Sequence, residues 1–174
     1  MKSLLFKGAL MLFLCVSSLS TFAQKADAIL SKSVVLNSSA DEVWSELRQL
    51  DRFGELFPNF IAEVWIDNYT TPKVGLQRKC TAPGQAKGTV SYQESIIEFD
   101  DEKRFYAYAV SGVPAKDMVN MFKVIDLGYQ KSMVVWNSTG WTFIENPQMS
   151  EDQFLGFMGA AIDEAMSVLN RKFN

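Results

Sequence analysis

The chain has 174 residues, 48% hydrophobic and 13% aromatic, with 17 Lys and Arg against 20 Asp and Glu and a formal net charge of -3. An acidic balance with no basic cluster argues against a nucleic-acid partner, and the absence of histidine removes the commonest zinc ligand and general base and excludes any triad built on His. No metal or cofactor is called for by the residues present.

Lys2 and Lys7, the apolar run from Ala9 to Val16 and the small-residue end Thr21-Phe22-Ala23 read as a secretory signal over residues 1–23, cut before Gln24. The apolar run is shorter than the ~20 residues of a spanning helix, which argues against a stable membrane anchor. Leu14 before Cys15 argues against a lipid anchor. The expected product, residues 24–174, is one domain, periplasmic or secreted. Cleavage removes Lys2 and Lys7 and no acid, leaving 15 basic and 20 acidic residues, a net charge of -5, and one cysteine, Cys80. A lone cysteine cannot close an intramolecular disulfide, so packing must hold the domain.

Ile29 to Leu36 is a weakly alternating, β-branched first strand, and Ser39-Ala40-Asp41-Glu42 is a capping box for a helix from Ala40 to about Leu50. Its apolar face is Val43, Trp44, Leu47 and Leu50. A short second helix or turn follows, carrying Phe53, Leu56 and Phe57 between Gly54 and Pro58. The period then becomes two. Strands are expected at Phe60–Asn68, Val74–Thr81, Thr89–Phe99, Arg104–Ser111, Met118–Asp126 and Lys131–Ile144, and the short connections between them imply an antiparallel meander. Ser150-Glu151-Asp152-Gln153 caps a last helix that ends in Arg171-Lys172, with Phe154, Met158, Ala161, Ile162, Ala165 and Leu169 on one stripe. At 1.5 Å per residue that helix is roughly 34 Å long. It can lie across the mouth of a bent sheet, so the order of elements describes a container.

Pairing about a loop near Ala86 sets Leu76 against Ile96, Arg78 against Glu94 and Cys80 against Tyr92. Leu76, Cys80, Val90, Tyr92 and Ile96 then share one face, and Arg78 and Glu94 point inward with them. A turn centred near Asp101 aligns Glu94 with Tyr108 and Ile96 with Tyr106. A charged pair among phenols is either a polar site inside a pocket or a cross-strand ion pair of the sheet. Tyr92, Tyr106, Tyr108 and Trp136 are either core or groups that orient a ligand oxygen. Asn120 shares a face with Phe122 and needs a buried partner if that face is inward. Gly156 and Gly159 interrupt the last helix, either to let the sheet approach or to leave room for a bound molecule.

The opening Val34-Val35-Leu36, Asp41-Glu42-Val43-Trp44, the Phe57-Pro58-Asn59 turn, Val74-Gly75 before Arg78, the Thr89-to-Glu94 strand and Val135-Trp136 resemble, in that order and over residues 27–173, the START and Bet v 1-like (SRPBCC) superfamily, in particular bacterial polyketide cyclase/dehydrase-like members. The resemblance implies an α+β helix-grip fold: a seven-stranded antiparallel sheet around a long C-terminal helix, with two short helices after the first strand and a hydrophobic cavity for lipids, sterols or polyketide-like molecules. The leading functional expectation is an exported protein that encloses a small hydrophobic molecule. Its expected contact residues are Arg78, Glu94, Tyr92, Tyr106, Tyr108, Asn120, Phe122, Trp136, Met158 and Ile162. A cyclase, dehydratase or isomerase with Glu94 as base is the second reading, weakened because Arg78 would lower the carboxyl's pKa. The third is an accessory subunit of an exported enzyme, an exported protein partner that it would meet through an exposed apolar patch around Trp141 or Phe143.

Overall fold

The computed structural model describes residues 28–174; the expected signal segment, residues 1–23, lies outside them. Strand β1 (Ala28–Leu36) is followed by helix α1 (Ala40–Leu47) and a 3-10 helix (Leu50–Leu56). Seven further strands, β2 (Glu63–Trp65), β3 (Gln77–Thr81), β4 (Tyr92–Asp100), β5 (Phe105–Ser111), β6 (Ala115–Lys116), β7 (Val119–Gly128) and β8 (Lys131–Thr139), lead through the short β9 (Thr142–Phe143) to α2 (Glu151–Phe173). Seven strands form one antiparallel sheet in the order β1-β8-β7-β5-β4-β3-β2, and β6 pairs with β9 apart from it. The fold is the helix grip that the family resemblance implies, and its order of elements is that of the expected container.

Local chemistry sets the ends of the helices. Ser150 accepts from the Gln153 backbone N–H while Gln153 Oε1 accepts from the Ser150 N–H, and Arg171 and Lys172 occupy the last turn of α2, so both ends complement the helix dipole. At α1 the box is only half made. Ser39 accepts from the Glu42 N–H, but the Glu42 carboxylate is taken by Ser38 Oγ. Helix α1 also stops at Leu47, earlier than its apolar spacing suggests, and the chain tightens into the 3-10 turn that buries Leu50, Phe53 and Leu56. Trp44 Nε1 donates to Asp101 Oδ1 at 2.9 Å, pinning α1 to the β4-β5 turn.

The β3-β4 register is the expected one, with Arg78 opposite Glu94 and Cys80 opposite Tyr92. The β4-β5 register is not. Glu94 faces Val110 and Ile96 faces Tyr108, two residues from the expected pairing. The turn covers 101–104, with Arg104 at φ 49 and the Lys103 N–H donating to Asp100 Oδ1, and a bulge between Ile96 and Glu98 absorbs one residue. Because a strand's side chains alternate with a period of two, a two-residue slip preserves the facing: Glu94, Ile96, Tyr106 and Tyr108 still point inward. Val90, expected inward, precedes β4 and is 48% exposed.

The segment Lys131–Ile144 is two strands. Gly140, at φ 72, breaks it, and β9 leaves the main sheet to pair with β6. As a result Trp141 and Phe143 do not form an exposed patch. Trp141 is buried, donates from Nε1 to Ser138 Oγ at 3.0 Å and packs edge-on against Phe154 at 5.4 Å, and Phe143 joins the same small cluster with Ala115 and Met118. Burial of two large aromatic rings outweighs the preference of a strand to continue.

Candidate ligand cavity

A cavity of about 500 Å³ lies between the concave face of the sheet and α2. Its walls come from every layer of the fold. The sheet contributes Tyr92, Glu94, Tyr108, Val110, Asn120 and Trp136; α2 contributes Phe154, Phe157, Met158, Ala161 and Ile162; and the stretch from the 3-10 helix to β2 contributes Phe53, Phe57, Asn59, Phe60 and Ile61. Of the ten expected contact residues, Glu94, Tyr92, Tyr108, Asn120, Trp136, Met158 and Ile162 line the cavity. Arg78, Tyr106 and Phe122 are buried behind its wall.

A polar band crosses this concave face. Arg78 is fully buried and does not itself line the cavity, but it pairs with Glu94, which does. Its Nε donates to Glu94 Oε2 at 2.8 Å, and its Nη2 makes an ion contact of 2.7 Å with the same oxygen, outside hydrogen-bond geometry. Both contacts fall on Oε2, and among the described residues no hydrogen bond reaches Oε1. The guanidinium plane lies over the Phe53 ring, with Cζ 3.5 Å from its centroid and 5.1 Å from that of Tyr108, so its remaining charge is met by aromatic faces. Beyond Glu94, Trp136 Nε1 donates to the Tyr108 hydroxyl at 3.1 Å. Asn120 pairs with Tyr108 across the β5-β7 ladder, is 3% exposed, and its Oδ1 is enclosed without a hydrogen-bond partner.

Burial governs how these groups titrate. It pushes the Glu94 carboxyl above its ordinary value, with Arg78 pulling the other way. Burial alone would lower Arg78, but Glu94 and the neighbouring tyrosines outweigh it and hold the guanidinium protonated. The Tyr106 phenol and the Cys80 thiol are each pushed up to about 12, chiefly by desolvation. Both are neutral at physiological pH.

The mouth of the cavity was less legible in the sequence. Phe57, Asn59 and Phe60 belong to a turn that the sequence marks with Pro58, but only the fold carries that turn to α2. There the Asn59 backbone N–H donates to Glu164 Oε2 at 3.1 Å, the Asn59 amide donates to Glu164 Oε1, and the Phe60 and Phe157 rings meet edge-on at 5.2 Å. Gly156 and Gly159 do not serve a close approach of the sheet, because a Cβ at either would meet nothing within 4 Å. Among the described residues there is no cluster of three or more His, Cys, Asp or Glu able to hold a metal ion, and no helix long and apolar enough to cross a membrane.

Residues 27–172 match the family model described as polyketide cyclase / dehydrase and lipid transport. No curated protein matches the chain by sequence. Among solved structures, the chain is similar to the protein XoxI of Bacillus cereus, at 18% identity over 83% of this chain and 94% of that one with a TM-score of 0.67. It is also similar to the Zhui aromatase/cyclase of Streptomyces sp. R1128, at 13% identity over 80% and 86% with a TM-score of 0.59. Norcoclaurine synthase of Thalictrum flavum, solved with dopamine and hydroxybenzaldehyde, is similar at 16% identity over 80% and 84% with a TM-score of 0.56. Identities this low establish a shared fold.

Proposed function

Since the chain belongs to the polyketide cyclase / dehydrase and lipid transport family, we propose that it is an exported binding protein that encloses one small hydrophobic molecule between its sheet and α2. The observation that carries this reading is the cavity itself: about 500 Å³, walled largely by phenylalanines, methionines and isoleucines of α2, the 3-10 helix and the connecting segments beside them. A well-packed domain contains few voids larger than a water molecule. Removing apolar ligand surface from water contributes about 25 cal/mol per Å², and a few polar groups set orientation. Export rests on the sequence of residues 1–23.

Native mass spectrometry of the protein purified from its exported fraction, followed by organic extraction, tests the proposal. A stoichiometric apolar passenger, on a polypeptide whose mass begins at Gln24, is the expected result. A protein that arrives empty and gains no mass from a panel of lipids, sterols and aromatic polyketide analogues overturns it.

One observation favours a second reading, proton transfer. Glu94 lines the cavity with one oxygen unbonded, and burial raises its pKa toward the range useful to a general acid or base. Two of the structural neighbours are named as a cyclase and a synthase. This reading expects turnover of a bound compound, with a pH profile whose acid limb disappears in Glu94→Gln. A passenger recovered chemically unchanged after long incubation argues against it.

A further inference from the structure

The convex face of the sheet, away from the cavity, is apolar at one corner. Across β1, β8 and β7 the side chains that alternate with the buried set fall into rows: Val35, Met133 and Ile125 form one, and Ser33, Val135 and Lys123 the next. Beyond them the β7-β8 hairpin carries Leu127 and Tyr129, 46% and 100% exposed, and Lys131, which pairs with Gly128 at the foot of the turn. That turn is left-handed at both Tyr129 (φ 52) and Gln130 (φ 57), positions that favour glycine and asparagine. A strained turn that holds a fully exposed ring outward points to a contact made by that ring. The charges on this corner are of one sign. Neither Lys123 nor Lys131 makes an ion pair among the described residues. Asp126 belongs to the other face, opposite buried Ser132, and accepts the Gly128 N–H. Along the register the next carboxylates are Glu98 and Asp100 on β4, two strands from β7, and Asp100 already holds Lys103.

We propose that this convex corner, the β7-β8 hairpin tip with the adjoining outer face of β1, docks on an anionic lipid surface, with Leu127 and Tyr129 entering the interface and Lys123 and Lys131 at the headgroups. The inference concerns the side of the sheet opposite the cavity and holds whatever the cavity encloses. The charges decide the occupant. Both lysines lack an acid of their own, so they complement anionic headgroups, where each contributes about fivefold to binding. A tyrosine suits the same boundary, its ring beside the acyl chains and its hydroxyl among the headgroups, and the lysine stems lie along apolar surface while their ammonium groups stay wet. A second copy laid on this face would bring its own lysines and no carboxylate to meet them. A convex surface also offers no groove for an extended peptide.

Co-sedimentation of the intact mature protein with vesicles tests the proposal. One set is pure phosphatidylcholine and the other has about one-third of it replaced by phosphatidylglycerol, each at low salt and at about 1 M salt, where charges are screened beyond about 3 Å. The protein is expected to pellet with the anionic vesicles at low salt, to bind pure phosphatidylcholine at least about tenfold more weakly, and to lose the difference at high salt. Lys123→Glu combined with Lys131→Glu should abolish the preference, and Leu127→Ser should weaken binding several-fold. Tyr129→Gly separates docking from folding: glycine relaxes the left-handed turn, so the urea midpoint should not fall while vesicle binding drops several-fold. Absence of pelleting with anionic vesicles overturns the inference, and so does pelleting that neither the charge reversal nor Tyr129→Gly changes. A dimer in sedimentation equilibrium that Leu127→Ser dissociates, without vesicle binding, assigns the face to a second copy and overturns it as well. Pelleting does not depend on what fills the cavity, so each of these results leaves the container reading where it stands.

Discussion

Arg78 and Glu94 are the residues on which the interior is organised, and their burial is a liability as well as an asset. An ion pair taken out of water returns only part of its desolvation cost, yet removing one partner strands the other. Glu94→Leu alone should therefore destabilise the domain by about 3–5 kcal/mol, whereas Arg78→Met combined with Glu94→Leu should recover most of that loss. Urea midpoints of the two single variants and the double variant measure this. A double variant no more stable than Glu94→Leu would mean that the pair acts through packing and not charge. Burial also sets the alkaline limit. The folded state keeps the Cys80 proton to about pH 12, while the unfolded chain releases it near its ordinary value of 9.0. Above that value the unfolded state binds fewer protons than the folded one, so stability falls as pH rises from about 9 toward 12. Urea midpoints at pH 8 and pH 10 should show the decline, and Cys80→Val should make it shallower.

Helix α2 carries two roles along its length. Its C-terminal half is core, with Ala165 and Leu169 fully buried, and its N-terminal half walls the cavity through Phe154, Phe157 and Met158. Both interior glycines, Gly156 and Gly159, fall in the cavity half. Because a methyl group at Gly159 would meet no neighbour within 4 Å, Gly159→Ala should stabilise the protein by about 0.5–1 kcal/mol through helix propensity alone. Differential scanning calorimetry should show a rise in Tm of about 2–4 °C for each kcal/mol gained. A fall in Tm would point to a contact that the geometry does not contain. The small β6-β9 ribbon buttresses the same half of α2, since Trp141 and Phe143 both pack on Phe154. Phe154→Ala, at a site 2% exposed, should cost about 3–5 kcal/mol.

At the scale of the molecule, the void is what separates this fold from a solid core. Val110 lines it from β5 while keeping some exposure, so Val110→Trp should project into the space without displacing buried neighbours. The largest ligands should lose affinity first and small aromatics last, as read by titration against a size series, while the unfolding midpoint changes little. Uniform loss across the series would show that the variant disturbs the polar end and not the volume.

Much of this was legible in the chain. The change of hydrophobic period from 3.6 to 2 and back, the Ser150 capping box and the short connections determined the run of antiparallel strands and the long closing helix, because local periodicity and capping are properties of neighbouring residues. The inward set Arg78, Glu94, Tyr106 and Tyr108 was also legible, since alternation survives the two-residue slip at the β4-β5 turn. What only the tertiary structure decided depends on distance through space. It placed Arg78 against Glu94 and out of the cavity wall, turned Gly140 into the break that buries Trp141, and brought Asn59 and Phe60 to α2 across more than 90 residues of chain. Alternation specifies which face a side chain occupies; how far it reaches, and what remains unpaired when it arrives, is settled only when the layers close on one another.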